Sequence, residues 1–344
     1  MPGRAERRAM FSILTGGWIA QACYAVAKLG VPDALADGPS TVDALAEKVG
    51  ADRHALHRTL RALAAAGLFR EIAAGTFELT ATGRLLGSET RGSSRLAAIM
   101  FGEEVHEAFG EILHTLRTGR PAFEKIHGEP FYDYLRDRPQ AAAMFATAMG
   151  SAAVPIVFAR CDLGRPRAVV DIGGGDGGLL ARMLSRHREA RGVLVELPDA
   201  IERARARLAS SGHADRIEFA AASFFDSGAI PSGADVYTLS RVLHNWNDDA
   251  AVQILRRVRE AAPPHARLFV FEYLIEDPDE ASDATTGADG ADGAGSALNA
   301  IDLLSLVMLE GYERSAHQYR ALLAQAGFEV RAVHAPPLPA TRTE

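Results

Sequence analysis

Apolar spacing divides the chain into three stretches of different character. Residues 6–30 read as one helix, in which Phe11, Leu14, Trp18, Cys23, Val26 and Leu29 exceed one narrow stripe. Such a helix asks for burial on more than one side, as against a second subunit. Pro32 breaks the pattern. Thr41 is a good N-cap for a helix with Val42, Leu45 and Val49 on one face. Gly50 closes that helix, and Asp52 caps the next. The second helix turns Leu56, Leu60 and Leu63 inward and stops at Gly67. Alternation over 69–72 and 76–79 around Gly75 predicts a small hairpin, so this unit reads as a winged helix.

Residues 96–160 form a helical stretch rich in aromatics, including Phe101, Phe123, Phe131, Tyr132 and Phe145. From about residue 167 strands and helices alternate. Predicted strands lie at 167–172, 192–196, 217–221, 234–239, 268–273 and 328–334, the pattern of a doubly wound parallel sheet. The expected organisation is a winged-helix dimerisation domain over 1–95, a helical linker and pocket region over 96–160, and an α/β domain over 161–344.

Composition narrows the function classes. The chain has 344 residues, 48% hydrophobic and 24% charged, which excludes a wholly disordered protein. Its net charge of −7 excludes a strongly basic nucleic-acid binder. That charge has one source. Residues 276–298 hold seven acidic residues and no Lys or Arg, so the rest of the chain is balanced. The segment has no hydrophobic period and is expected to be a disordered, solvating flap near the substrate entrance. Cys23 and Cys161 form no disulfide framework, which fits a reduced, cytoplasmic compartment. No apolar run is seen to approach the roughly 18–20 residues that span a bilayer, and neither a membrane nor a nucleic-acid partner is expected.

The densest chemical signal is Asp171-Ile-Gly173-Gly-Gly175-Asp176-Gly-Gly178, placed between a strand and a helix. Glycines let backbone approach a ligand, and a helix N-terminus adds free N–H groups. Gly173, Gly175 and Gly178 also satisfy the dinucleotide pattern GxGxxG, and Glu196 ends the next strand, where an acid binds ribose hydroxyls in either case. A sulfonium nucleoside is favoured over NAD on two grounds. Asp171 places a carboxylate where a cationic ligand would lie, and the loop follows a helical region suited to cover a substrate.

With these motifs together, the chain resembles the class I S-adenosylmethionine-dependent O-methyltransferases of the plant caffeate type and their bacterial relatives acting on aromatic natural products. The resemblance covers nearly the whole chain. Its most specific pieces are residues 171–177, Leu243-His244-Asn245-Trp246 and Glu310-Gly311-Tyr312-Glu313-Arg314. It implies a Rossmann-like methyltransferase domain, a homodimer through the N-terminal domain, S-adenosylmethionine as cofactor and an enzyme of bacterial secondary metabolism. It assigns His244 as the base that takes the proton of a phenolic hydroxyl, flanked by Glu272 and Glu313. A phenol has a pKa near 10, and a neutral imidazole can accept its proton at physiological pH.

By the same resemblance Gly173, Asp176 and Glu196 contact the methionine or ribose of the cofactor, Phe224 packs on the adenine, and Trp246 closes that pocket. Phe145, Met149, Leu304 and Met308 are expected to line the acceptor site. Four positions depart from the plant pattern. Ala222-Ser223 stands for Gly-Asp, Ser240 for a common lysine, Asn245 for aspartate and Met308 for asparagine. No metal is expected, because there is no HExxH and neither His54 nor His57 shows an acidic partner in sequence. Three alternatives stand beside this reading. They are a DNA-binding regulator using Arg53, Arg58 and Arg61, an NAD-linked oxidoreductase, and a relative that uses the cofactor for other chemistry.

Overall fold

The computed structural model describes residues 3–150, 161–275 and 293–334. The chain divides into two compact units. One comprises Met1–Gly110 with Gln140–Ser151, the other Glu111–Pro139 with Ala152–Glu344.

In the first unit, helix α1 (Arg4–Leu29) ends at Gly30, whose φ of 76° continues directly into the short α2 (Val31–Ala34). Strand β1 (Ser40–Thr41), α3 (Val42–Val49), α4 (Arg53–Ala65), β2 (Phe69–Ala73) and β3 (Thr76–Leu79) build the winged helix, with antiparallel order β1-β3-β2. The expected caps are in place. Thr41 accepts from the Ala44 N–H and Asp52 from the Ala55 N–H. Leu45, Leu60, Leu63, Phe69 and Phe77 form the core with Val26 and Val31.

The N-terminal half of α1 presents Phe11, Ile13, Leu14 and Trp18 to solvent, with Trp18 70% exposed. Here the structure corrects the sequence reading. By length and composition α1 is long and apolar enough to cross a bilayer. Its polar residues are spread too thinly to break the run. Two of the three arginines named on the winged helix prove to be engaged. Arg53 pairs with Asp43, and both Arg61 and His57 face Glu71. His57 therefore does have an acidic partner, supplied across the hairpin.

The stretch 96–160 is not one linker. Helices α5 (Arg95–Gly102) and α6 (Glu104–Gly110) stay with the first unit, where Gly102 lies so near Tyr24 that a Cβ would overlap the ring. Helices α7 (Ile112–Thr118), α8 (Ala122–His127) and α9 (Phe131–Arg136) belong to the second unit, and an edge-to-face cluster of Phe123, Phe131 and Tyr134 ties α8 to α9. Helix α10 (Pro139–Gly150) returns to the first, and its Met144 packs on the Ala27–Leu86–Ile99 cluster. Aromatic content alone does not say which core a helix joins.

The second unit is a parallel sheet with helices on both faces. Its elements are β4 (Ala168–Ile172), α11 (Gly178–Arg186), β5 (Arg191–Glu196), α12 (Pro198–Leu208), β6 (Ile217–Ala221), β7 (Val236–Ser240), α13 (Asp248–Ala261), β8 (Arg267–Phe271), α14 (Gly293–Met308) and α15 (Ala316–Gln325). Strand order is β6-β5-β4-β7-β8. Along β4, Val169 packs against α11 on one face, while Val170 and Ile172 join the α13 and α15 core on the other. Order reverses between β4 and β7, so a crevice opens at their C-terminal ends.

Two predicted boundaries shift. Residues 293–298 begin α14 rather than ending a disordered segment, and 276–292 lie outside the described residues. Residues 328–334 are not a strand. Val333 is exposed and no ladder partner pairs with it among the described residues, so its alternation marks only an extended chain.

Asp171, expected to face a cofactor, is fully buried in β4. Its Oδ1 accepts the Thr238 hydroxyl of β7 at 2.6 Å, and Oδ2 has no hydrogen-bond partner among the described residues. Burial pushes its carboxyl up to about 7, well above the ordinary carboxylate range. Between about pH 4 and 7 the unfolded chain ionises here while the native state keeps the proton, so stability falls as pH rises through that window. Asp171→Asn is expected to remove this slope. In urea unfolding, the advantage of wild type over variant should shrink by a few kcal/mol from pH 4 to pH 7 and stay level above it.

Candidate active site

Five chain segments converge at the C-terminal edge of the sheet. After β4, the glycine loop turns with positive φ at Gly173, Gly175 and Gly177. A Cβ at Gly173 would lie 2.8 Å from Val242 and 3.4 Å from Phe224, closing the gap between the β4 and β7 ends, whereas nothing lies within 4 Å above Gly175. The Gly175 N–H donates to Glu196 Oε1 at 3.1 Å, and Leu197 N–H donates to Glu196 Oε2. Burial pushes Glu196 up despite those two bonds. Asp176 is paired with Arg207 and accepts the Gly178 N–H. Ser223 accepts from the Phe225 N–H, and Ser240 ends β7 half-buried. An open backbone cradle, a carboxylate one strand away and the Phe224 ring at its side form a donor set that fits a nucleoside with a cationic sulfur.

Trp246 gathers the aromatic side of the site. Phe224 and Phe225 meet it edge-on at 6.0 and 4.7 Å, and Tyr132 of α9 stacks on it at 5.7 Å. Burial pushes the Tyr132 hydroxyl up, with the Glu196 and Glu272 carboxylates adding to the effect and Arg241 opposing it. Tyr132 thus joins the site through its stack on Trp246. The sequence reading counts it only among the aromatics of 96–160, because nothing in its local sequence singles it out; only tertiary packing does.

His244 sits in the turn after β7, 12% exposed, with Nδ1 3.2 Å from Glu313 Oε1. Glu313 is fully buried. Burial pushes it up, but bonds from His244 and Arg241 outweigh that and hold it at about 2. Glu272, beyond β8, is different. Its Oε1 accepts the N–H groups of Val242 and Leu243 at 3.0 and 2.8 Å, and burial pushes its carboxyl up. Between the two acids lies Arg241, which the sequence reading also missed. It donates to both Glu313 oxygens, at 2.7 and 3.1 Å, and to Glu272 at 3.3 Å. His244, Glu272 and Glu313 offer ligand atoms within 4.8 Å of one another, a set that could hold a metal ion. The Arg241 guanidinium already supplies a positive charge to both carboxylates of that set.

The two sequence motifs are one structural unit. Residues 243–248 and 310–314 are joined position by position. Asn247 donates to Glu310, Tyr312 to Asp248, and Arg314 to the carbonyls of Leu243 and Trp246 and to Asp248. Gly311 makes this approach possible. A Cβ there would fall 2.1–2.4 Å from backbone atoms of His244, Asn245 and Trp246. Gly311→Ala must push the histidine turn away. It is expected to cost about 1–3 kcal/mol, seen as a lowered midpoint in calorimetric unfolding.

The expected acceptor residues are carried by both units. Leu304 is half-buried and Met308 buried on α14, in the second unit. Phe145 is half-buried on α10, in the first unit, and the Met149 side chain lies outside the described residues.

Comparison with known proteins is consistent along the chain. The O-methyltransferase domain family matches residues 109–329, and the O-methyltransferase dimerisation domain family matches residues 11–89. The chain is 36% identical to the phenazine O-methyltransferase of Lysobacter antibioticus, over 94% of this chain and 91% of that one. It is also 36% identical to the 8-amino-8-demethylriboflavin N,N-dimethyltransferase of Streptomyces davaonensis, over 97% and 93%. Among solved structures it resembles an O-methyltransferase from neocarzinostatin biosynthesis in complex with S-adenosylmethionine and 2-hydroxy-5-methyl naphthoic acid. That match has a TM-score of 0.78 and 33% identity, covering 92% of each chain. None of these matches supports a DNA-binding regulator or an NAD-linked oxidoreductase. The chain belongs to the O-methyltransferase family, and its first unit carries that family's dimerisation domain.

Proposed function

We propose that this enzyme transfers a methyl group from S-adenosylmethionine to a phenolic hydroxyl of an aromatic small molecule, with His244 as general base. The observation that carries the reading is the 3.2 Å approach of His244 Nδ1 to a buried, ionised Glu313. A carboxylate in that position holds the proton on Nδ1 and leaves Nε2 able to accept one. Glu313 also stabilises the imidazolium once it forms. The cofactor supplies an electrophilic methyl group on a positively charged sulfur. Gly173 and Gly175 offer it backbone, Glu196 a carboxylate, Ser223 and Ser240 hydroxyls, and Phe224 and Trp246 aromatic walls. Asp176, tied to Arg207, anchors the loop. Leu304 and Met308 are assigned to the apolar acceptor site. The chemistry needs orientation more than covalent help, which suits a site built from fixed strand ends.

Calorimetric titration with S-adenosylmethionine is expected to give one site per chain, and absence of binding sinks the proposal. A panel of phenols and aromatic amines with radiolabelled methyl donor then identifies the acceptor. His244→Ala is expected to lower turnover about 10²–10⁴-fold while cofactor binding persists. Unchanged turnover removes His244 as the base.

The working unit is proposed to be a homodimer joined through α1. Phe11, Leu14 and Trp18 are too apolar to remain in water on a folded protein. Leu14→Glu with Trp18→Glu is expected to halve the mass seen by sedimentation. A mass unchanged from a dimeric wild type places the interface elsewhere.

A further inference from the structure

Tyr132 differs from its aromatic neighbours on α8 and α9. Phe123 and Phe131 are buried in the core, whereas Tyr132 is half-buried. The rings it joins are half-buried too. Trp246, Phe224 and Phe225 pack against the core of the second unit, and each keeps part of its surface accessible. Aromatic rings gathered for packing alone are sealed, as Phe123 is between Phe131 and Tyr134. Accessible rings beside a backbone cradle are the walls of a ligand site.

The accessible part of Tyr132 does not face open water. Its hydroxyl is pushed up chiefly by burial, with Glu196 and Glu272 adding to the effect and Arg241 opposing it. A ring that is accessible while its hydroxyl is cut off from bulk solvent borders an enclosed space. The two carboxylates it feels belong to the two ends of the proposed reaction. Glu196 is tied to the glycine loop through the Gly175 N–H, and Glu272 to the turn of His244 through the N–H groups of Val242 and Leu243. A methyl group passing from a nucleoside at the loop to an acceptor at the histidine starts on a positively charged sulfur. The face of an aromatic ring is negative and attracts such a cation, the more so away from water. When the acceptor oxygen forms its bond to the methyl carbon, the C–S bond breaks, its electron pair stays on sulfur, and the positive charge on sulfur is gone.

We propose that Tyr132 is a specificity residue for the charge of the cofactor, its ring held against Trp246 to grip the sulfonium of the methyl donor and to lose that grip on the neutral thioether product. This rests on the reading of the chain as a methyltransferase that uses S-adenosylmethionine with its acceptor at His244. The test reads binding rather than turnover and needs no acceptor.

The full-length protein is titrated calorimetrically with S-adenosylmethionine and with S-adenosylhomocysteine, which lacks the methyl group and the charge on sulfur. Tyr132→Leu is expected to weaken S-adenosylmethionine about 5–30-fold more than S-adenosylhomocysteine, the range for a cation against a partly desolvated ring. Tyr132→Phe, which keeps the ring, should hold the ratio of the two affinities within about twofold of wild type. Replacement of Tyr132 by 4-fluoro- and 3,4,5-trifluorophenylalanine keeps the shape of the ring and drains its face of electron density, so it tests the charge even where Tyr132→Leu fails to fold. Along that series S-adenosylmethionine should weaken stepwise while S-adenosylhomocysteine stays level. Equal losses of both ligands in Tyr132→Leu, or a level fluorine series for both, overturn the proposal and leave methyl transfer standing. Failure of the wild type to bind S-adenosylmethionine overturns both.

Discussion

The buried guanidinium of Arg314 organises the histidine turn. It is fully enclosed, and it donates to the Leu243 and Trp246 carbonyls that bracket His244 and to Asp248 at the start of α13. Asp248 itself is exposed, so this is less a buried ion pair than a buried donor set satisfied by backbone. Were the guanidinium absent, two turn carbonyls would lose their partners in the interior, at about 1–3 kcal/mol each. The neighbouring positions follow from this anchor. Gly311 must be bare because backbone meets backbone there, and Glu313 reaches His244 because Arg314 is fixed one residue on. The parallel bridge between Leu274 and Arg314 brings in the chain that carries Glu272.

Such a cluster is poor value for stability. Buried charges lose hydration that their mutual attraction repays only with good geometry. Here the geometry is good, with a forked arginine on one acid and two backbone donors on the other, yet an arginine is also held in the left-handed region. Structures tolerate this combination where a function depends on it. Asp171 is a second case of the same trade. Its carboxyl links β4 to β7 through Thr238 beneath the glycine loop, and burial pushes it up to about 7.

Much of this was legible in the sequence, for physical reasons that differ between elements. The winged helix was readable because Thr41, Asp52 and Gly50 are local signals, each acting within a few residues. The glycine loop was readable because strand, bare turn and helix follow one another directly. His244, Glu272 and Glu313 were assigned by resemblance, and the structure brings all three together. What could not be read depends on packing between distant residues. Asp171 looks like a ligand in sequence and is a core residue in space. Tyr132 reaches the site only through its stack on Trp246. The helices of 96–160 sort between two cores with no marker in their composition. Arg241 had one available signal, since two buried acids beside a histidine call for a cation, and it stands three residues before that histidine.

The two acids that flank the histidine are not equivalent. The resemblance treats Glu272 and Glu313 as a pair. Their partners divide the work. Glu272 gives one oxygen to two backbone N–H groups of the turn, so it shapes the peptide that carries His244. Burial pushes its carboxyl up. Glu313 receives side-chain donors, His244 and Arg241, and is held at about 2. Two like charges in one buried site are expected to separate in this way when the cation grips one through two short bonds and the other through a single longer one backed by backbone dipoles. Glu313 therefore faces the ring nitrogen directly, while Glu272 fixes the peptide that carries the ring.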